Sequence, residues 1–123
     1  MSLNMRMKIL LVEDSKLTRK MEVNRLKEIG FTNIIDAENG EDAINKLANE
    51  DDIGLIISDW NMPNKNGYEL LKWIRKSEKW KKTPFIMATA QGEKKVIVKA
   101  ENAGVSNIIS KPFTSDELKK IIN

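Results

Sequence analysis

An open sheet of five parallel strands, wound on both faces by helices, is the fold class this sequence predicts, and three observations predict it. Apolar runs of four to seven residues alternate with helically periodic stretches along all 123 residues, the pattern of consecutive βαβ units. The runs are apolar nearly throughout, as strands covered on both faces are. Right-handed crossovers leave few ways to connect five such units, and the doubly wound strand order 2-1-3-4-5, in three α/β/α layers, is the simplest.

The first strand is expected over residues 8–12, where Ile9-Leu10-Leu11-Val12 runs into Glu13 and Asp14. A helix over residues 15–29 follows, with Leu17, Met21, Leu26 and Ile29 read as one apolar stripe and Gly30 as its stop. Residues 33–37 form a short second strand. Asn39 or Gly40 opens a helix whose Ala43, Ile44, Leu47 and Ala48 share a face. The third strand starts near Ile53 and ends in Asp59, directly before the turn Trp60-Asn61-Met62-Pro63. After Asn64-Lys65-Asn66-Gly67, a third helix buries Leu70, Leu71 and Ile74 and stops near Ser77. Pro84 suits a strand's first position, so the fourth runs from Phe85 to Ala88 and into Thr89. Residues 92–103 hold the weakest of the five helices, because β-branched Val96-Ile97-Val98 has low helix propensity; Gly104 closes it. Ile108-Ile109-Ser110 then leads into Lys111-Pro112. The spacing of Thr114 and Glu117 is that of a capping box ahead of a last helix carrying Leu118, Ile121 and Ile122.

A chain this long suits one domain, large enough to bury roughly two thirds of the surface its unfolded form exposes. Hydrophobic residues at 41% and charged residues at 32% are ordinary for a globular protein, and no apolar stretch reaches a membrane span. The first residues lack a secretory signal. The absence of cysteine and histidine excludes disulfides, thiolate chemistry, the commonest zinc ligand and the commonest general base. A cytoplasmic protein is expected. Residues 1–7 read as disordered or as the lead into the first strand, with Ser2-Leu3 a possible cloning remnant, and residues 8–123 as one domain. The net charge of +3 raises the question of nucleic acid. The lysines at 79, 81, 82, 94, 95, 119 and 120 are interleaved with Glu78, Glu93 and Glu117, however, as on solvated helix faces.

In the predicted order, strands one and three are neighbours at the topological switch point, where open α/β sheets bind ligands. Glu13, Asp14 and Asp59 would lie side by side there, with Thr89 and Lys111 on the same rim. Carboxylates so crowded repel by about 4 kcal/mol per pair at about 4 Å and an effective dielectric near 20, and they demand a cation. Oxygen-only ligands select a hard ion, and a few carboxylates with open positions suit Mg²⁺. A carboxylate whose charge is quenched in this way can attack a phosphoryl group and form an aspartyl phosphate.

Four segments, Glu13-Asp14, Ser58-Asp59-Trp60-Asn61-Met62-Pro63, Met87-Ala88-Thr89-Ala90 and Ser110-Lys111-Pro112-Phe113-Thr114, together resemble the receiver domain of two-component response regulators in its stand-alone, CheY-like form. The resemblance covers nearly the whole chain. It implies a flavodoxin-like fold, a phosphoacceptor Asp59, and Mg²⁺ held by Asp14 and Asp59 directly, by Glu13 through water and by the backbone carbonyl of Asn61. It further implies a switch hydroxyl at Thr89, an ion-pairing Lys111, a cis Lys111-Pro112 peptide, and a switch surface formed by the fourth helix, the fifth strand and the fifth helix. Asn61 and Gln91 occupy positions that tune dephosphorylation in the family. Ile108 stands where CheY-like proteins often carry an aromatic side chain, which puts an aromatic switch in doubt. The implied partners are a sensor histidine kinase or phosphotransfer protein as donor and a separate target protein, with no nucleic acid or membrane and a monomeric state. The chain would be a switch rather than an enzyme, promoting only its own phosphorylation and slow dephosphorylation, with chemotaxis as a setting.

Taken singly, each residue has a plainer explanation: Asp14 or Ser15 as a helix cap, Asp59 as a turn former, Thr89 as a loop hydroxyl, Lys111 as a solvated charge. Trp60 is expected to pack over its loop, Trp73 and Trp80 to anchor at helix surfaces, and the methionines to fill the core. Two other classes share features with the site. A phosphatase of the haloacid-dehalogenase kind needs an acid two residues after its nucleophile, where this chain has Asn61. A flavodoxin-like flavin protein needs a hydroxyl- and glycine-rich loop where this chain has two acids. An origin in a longer regulator or hybrid kinase stays open.

Overall fold

The computed structural model describes residues 4–62, 64–90 and 94–122. Strands and helices alternate as β1 (Lys8–Val12), α1 (Lys16–Ile29), β2 (Ile34–Ala37), α2 (Gly40–Leu47), β3 (Ile53–Asp59), α3 (Gly67–Lys76), β4 (Phe85–Ala90), α4 (Lys94–Asn102), β5 (Asn107–Lys111) and α5 (Ser115–Ile122). The five strands form one parallel sheet in the order β2-β1-β3-β4-β5.

Successive strand residues point to opposite faces and so split the core in two. Leu10, Val12, Ile56 and Met87 pack with Leu47 of α2 and with Leu70, Leu71 and Ile74 of α3. Ile9, Leu11, Ile57, Ala88 and Ile109 pack with Leu26 of α1 and Leu118 of α5.

Local chemistry sets the helix ends. The Ser15 side chain accepts from the Thr18 amide at the start of α1, and Gly30, at φ 124°, ends the helix in a conformation that glycine takes at little cost. At α5 the Thr114 hydroxyl accepts from the Glu117 amide at 3.1 Å and the Glu117 carboxylate from the Thr114 amide at 3.2 Å, the predicted capping box. A second box, between Asn66 and Glu69, starts α3. Thr114→Ala removes one half of the α5 box, and we expect it to cost about 1 kcal/mol, measurable by urea unfolding.

Three expectations are corrected. Leu17 and Met21 do not share the inward stripe of α1: they are 71% and 46% exposed, while Glu22 and Leu26 are buried. At about 100° per residue, Leu17 stands roughly 180° around the helix from Leu26 and Met21 about 140°. Ala48 is exposed because it is the C-cap of α2, where the chain turns away from the core. Trp80 is no surface anchor. It is 4% exposed and belongs to the α2/α3 side of the core, since the chain turns back after α3 and folds the indole inward; Trp73 remains 37% exposed.

Lys79 pairs with Asp51 at 2.8 Å and Lys81 with Glu78 at 3.0 Å, on exposed surface. Among the described residues, no helix is long and apolar enough to cross a membrane.

Candidate functional site

The carboxyl ends of β1, β3, β4 and β5 bring the predicted residues together. Val12 is paired with Ser58, which sets Glu13 level with Asp59 across neighbouring strands. Asp59 is paired with Ala88, and Thr89 and Lys111 follow at the ends of β4 and β5. One carboxylate oxygen from each of Glu13, Asp14 and Asp59 lies within 4.8 Å of the others. Glu13 and Asp59 are buried, whereas Asp14 is exposed at the rim.

Lys111 supplies the opposing charge. Its Nζ lies 2.6 Å from Glu13 Oε1 and 3.2 Å from Asp59 Oδ1. Burial pushes the Asp59 carboxyl above its ordinary range, against the pull of Lys111. Glu13 is raised for the same reason, despite its bonds from Lys111 and from the Ser15 amide at 3.0 Å. Burial acts to lower the ammonium of Lys111, but its hydrogen bond to Glu13 and the charge of Asp59 outweigh that and hold it above the usual lysine value. Anions crowded beyond what one ammonium offsets suit a divalent cation, and the all-oxygen donor set favours a hard one.

Thr89 is 4% exposed, and its hydroxyl has no hydrogen-bond partner among the described residues. An unpaired buried hydroxyl costs about 1–3 kcal/mol, so it is poised to donate to an acceptor arriving at the rim. The Lys111–Pro112 peptide is cis. Asn61 is exposed two residues after Asp59, and Gln91 lies outside the described residues. Ile108 is partly buried against the core layer of Leu10 and Met87. The rings of Trp60 and Tyr68 are 5.6 Å apart over the loop that leaves β3.

That loop is held by backbone contacts. The Trp60 amide donates to the Ala88 carbonyl at 3.0 Å and the Gly67 amide to the Trp60 carbonyl at 2.9 Å. Asn64 and Lys65 both take positive φ, which turns the Lys65 carbonyl onto the Gly40 amide at 3.0 Å.

Three residues of the neighbourhood were not identified from sequence. Arg19 donates from Nη1 to the Glu13 carbonyl at 2.7 Å and from Nε to Asp36 at 3.1 Å, tying α1 to the ends of β1 and β2. Gly67 packs directly against the Asp59 backbone. Glu22 is buried on the inward face of α1, and its place four residues before Leu26 was the available signal.

Comparison with known proteins agrees with this geometry. The family model described as "Response regulator receiver domain" matches residues 9–123. A chemotaxis protein CheY homologue from Campylobacter jejuni is 41% identical over 114 residues, covering 93% of this chain and 88% of that protein. The solved structure of the Vibrio cholerae chemotaxis protein CheY4 superposes with a TM-score of 0.85 at 30% identity, covering 94% of each chain. The receiver domain of the Pseudomonas aeruginosa sensor histidine kinase PA1611, solved with a magnesium ion coordinated in its active-site cleft, has a TM-score of 0.85 at 26% identity, covering 95% of this chain and 94% of that one.

Proposed function

We propose a function from one premise: the chain belongs to the response regulator receiver domain family. It is a phosphoacceptor switch related to the CheY proteins, not a turnover enzyme. In our reading, Asp59 is the phosphoacceptor. A carboxylate oxygen of Asp59 attacks phosphorus, and the bond to the donor breaks, with the electron pair leaving on the imidazole of a phosphohistidine or the carboxylate of an acyl phosphate. Lys111 draws charge from the transferred group and Thr89 donates its hydroxyl to it. Asp14 and Asp59, Glu13 through water, and the Asn61 carbonyl would hold Mg²⁺, which when bound neutralises the phosphoryl oxygens.

The observation that carries this reading is the convergence of three carboxylates within 4.8 Å beside an ammonium 3.2 Å from Asp59. Incubation with acetyl phosphate and Mg²⁺ is expected to add one phosphoryl group per chain by intact mass, and EDTA to prevent it. Labelling that is indifferent to EDTA would exclude the metal-assisted site.

The donor in this proposal is a sensor histidine kinase or phosphotransfer protein. The output is a change at the surface of α4, β5 and α5 that a partner protein reads. Cytoplasmic residence, a monomeric state and a chemotaxis setting are part of the proposal, the last resting on the relatives' names. Residues 8–123 act as one receiver unit, whether alone or within a longer regulator or hybrid kinase. Ile108 has no hydroxyl, so the switch here works through Thr89 without an aromatic partner. Asn61 and Gln91 position water as amides and give no unusually fast dephosphorylation. The phosphatase alternative is disfavoured because Asn61 cannot serve as its acid.

A further inference from the structure

Where β1 ends, Glu13 is held from several sides. Its amide donates to the Ala37 carbonyl of β2 at 3.0 Å, and its carboxylate accepts from Lys111 and from the Ser15 amide. The Glu13 carbonyl lies beyond the last strand residue, Val12, and the group that reaches it is the Arg19 side chain, through Nη1 at 2.7 Å. The same guanidinium donates from Nε to Asp36 Oδ2 at 3.1 Å, and Asp36 in turn offers its carbonyl to Lys46 of α2. Arg19 is the more buried member of this ion pair, its side chain 16% exposed against 53% for Asp36. It stands near the N-terminal end of α1, where the helix dipole favours anions, so its own helix gives it no reason to be there.

The carbonyl that Arg19 grips is one half of the peptide joining Glu13 to Asp14. A planar peptide turns as one body, so fixing its oxygen fixes the direction in which the chain enters Asp14. Asp14 has most need of this, being exposed at the rim, whereas Glu13 and Asp59 are buried and both contact Lys111. Arginine suits the task because its planar fork presents donors at set angles to two acceptors at once.

We propose that Arg19 is a positioning residue of the cation site: by bridging Asp36 and the Glu13 carbonyl it orients the Glu13–Asp14 peptide and keeps the Asp14 carboxylate beside Asp59. Contacts that orient a metal's ligands from outside typically change its affinity by about 10–100-fold. The inference rests on the reading of Glu13, Asp14 and Asp59 as the place where a divalent cation binds. Charge and position make opposite predictions. A guanidinium close to the carboxylates repels an incoming cation, so its removal would tighten the ion if Arg19 acted only through its field. Loss of orientation loosens it.

The decisive experiment titrates Mn²⁺, which suits the same oxygen donors as Mg²⁺, into the wild type, Arg19→Met and Arg19→Lys, and counts the free ion by electron paramagnetic resonance. Arg19→Met is expected to weaken binding about tenfold, and Arg19→Lys, which keeps the charge but loses the fork, at least about threefold. Circular dichroism identifies the variants that are folded, and Arg19→Lys decides the matter if Arg19→Met is not. Affinity unchanged or tightened in the folded variants would overturn the proposal, even with a lowered urea midpoint, because a merely structural contact leaves the affinity of the folded site alone. A wild type that binds no Mn²⁺ would instead sink the cation site itself, and this inference with it.

Modification by acetyl phosphate supplies a second reading. In Arg19→Met the Mg²⁺ concentration that gives half the maximal rate is expected to rise about tenfold, while the rate at saturating Mg²⁺ stays within about twofold of wild type. A fall in the saturated rate with no change in the half-saturating concentration would also overturn the proposal.

Discussion

Asp59→Asn is expected to take up no phosphoryl group from acetyl phosphate or from a phosphohistidine donor, at any Mg²⁺ concentration. The amide matches the carboxylate in shape, so β3 and its turn are retained. What is lost is the anionic nucleophile, since the amide oxygen has neither the charge nor the basicity to attack phosphorus. The same change should raise the thermal midpoint in EDTA. Burial holds the Asp59 carboxyl above its ordinary range, which means that the ionised form opposes folding, and Lys111 keeps its 2.6 Å contact with Glu13 after the substitution. In Mg²⁺ the advantage of the variant should shrink, because the wild type then gains a ligand that the variant binds less well. Intact mass and thermal melts in both buffers read these effects. Phosphoryl incorporation equal to wild type would remove Asp59 from the chemistry, and a midpoint lowered in EDTA would show that the carboxylate stabilises the fold instead.

The parts of this molecule legible in the sequence are those where a local pattern and the global fold agree. The apolar run of β3 reads correctly because both faces of the strand are covered, and its end at Asp59 fixes where the acid emerges. Once the strand order follows from right-handed crossovers, the meeting of Glu13, Asp14 and Asp59 follows too. Interactions whose signal is nonlocal were not legible. Leu17 and Met21 look like core residues, but the inward face of α1 is set by where Leu26 meets the sheet, and that face includes the acid Glu22. Trp80 lies beyond α3 and enters the core only because the chain turns back there. Arg19 finds the Glu13 carbonyl through the packing of α1, which no spacing along the chain announces.

Gly67 shows the same limit with a larger consequence, and Gly67→Ala is expected to damage both stability and chemistry. In a helix the change alone should be favourable by about 1 kcal/mol, since alanine costs less backbone entropy. A methyl group at this position, however, would stand 2.2 Å from the Asp59 carbonyl oxygen, 3.1 Å from its carbon and 2.9 Å from Met87 Sδ. Two of those three atoms are backbone, so relief requires α3 to lift from the end of β3 or the peptide of Asp59 to move. Overpacking of this kind costs about 1–3 kcal/mol even where side chains can yield, and we expect a net loss of about 2 kcal/mol or more in urea unfolding. The displaced backbone carries the Asp59 carboxylate with it. A shift of about 1 Å at a reacting group can cost about a hundredfold, so modification by acetyl phosphate should slow at least about tenfold under conditions where the variant is folded. Gly54, at the opposite end of β3, provides the control. A methyl group there would meet Met7 Cγ at 2.5 Å, but Met7 is a flexible side chain that can turn aside. Gly54→Ala should therefore cost less than about 1 kcal/mol and leave the modification rate unchanged. Equal losses of rate in the two variants would mean that the chemistry follows overall stability, and the close approach of α3 to Asp59 would then have no special part in placing the acid.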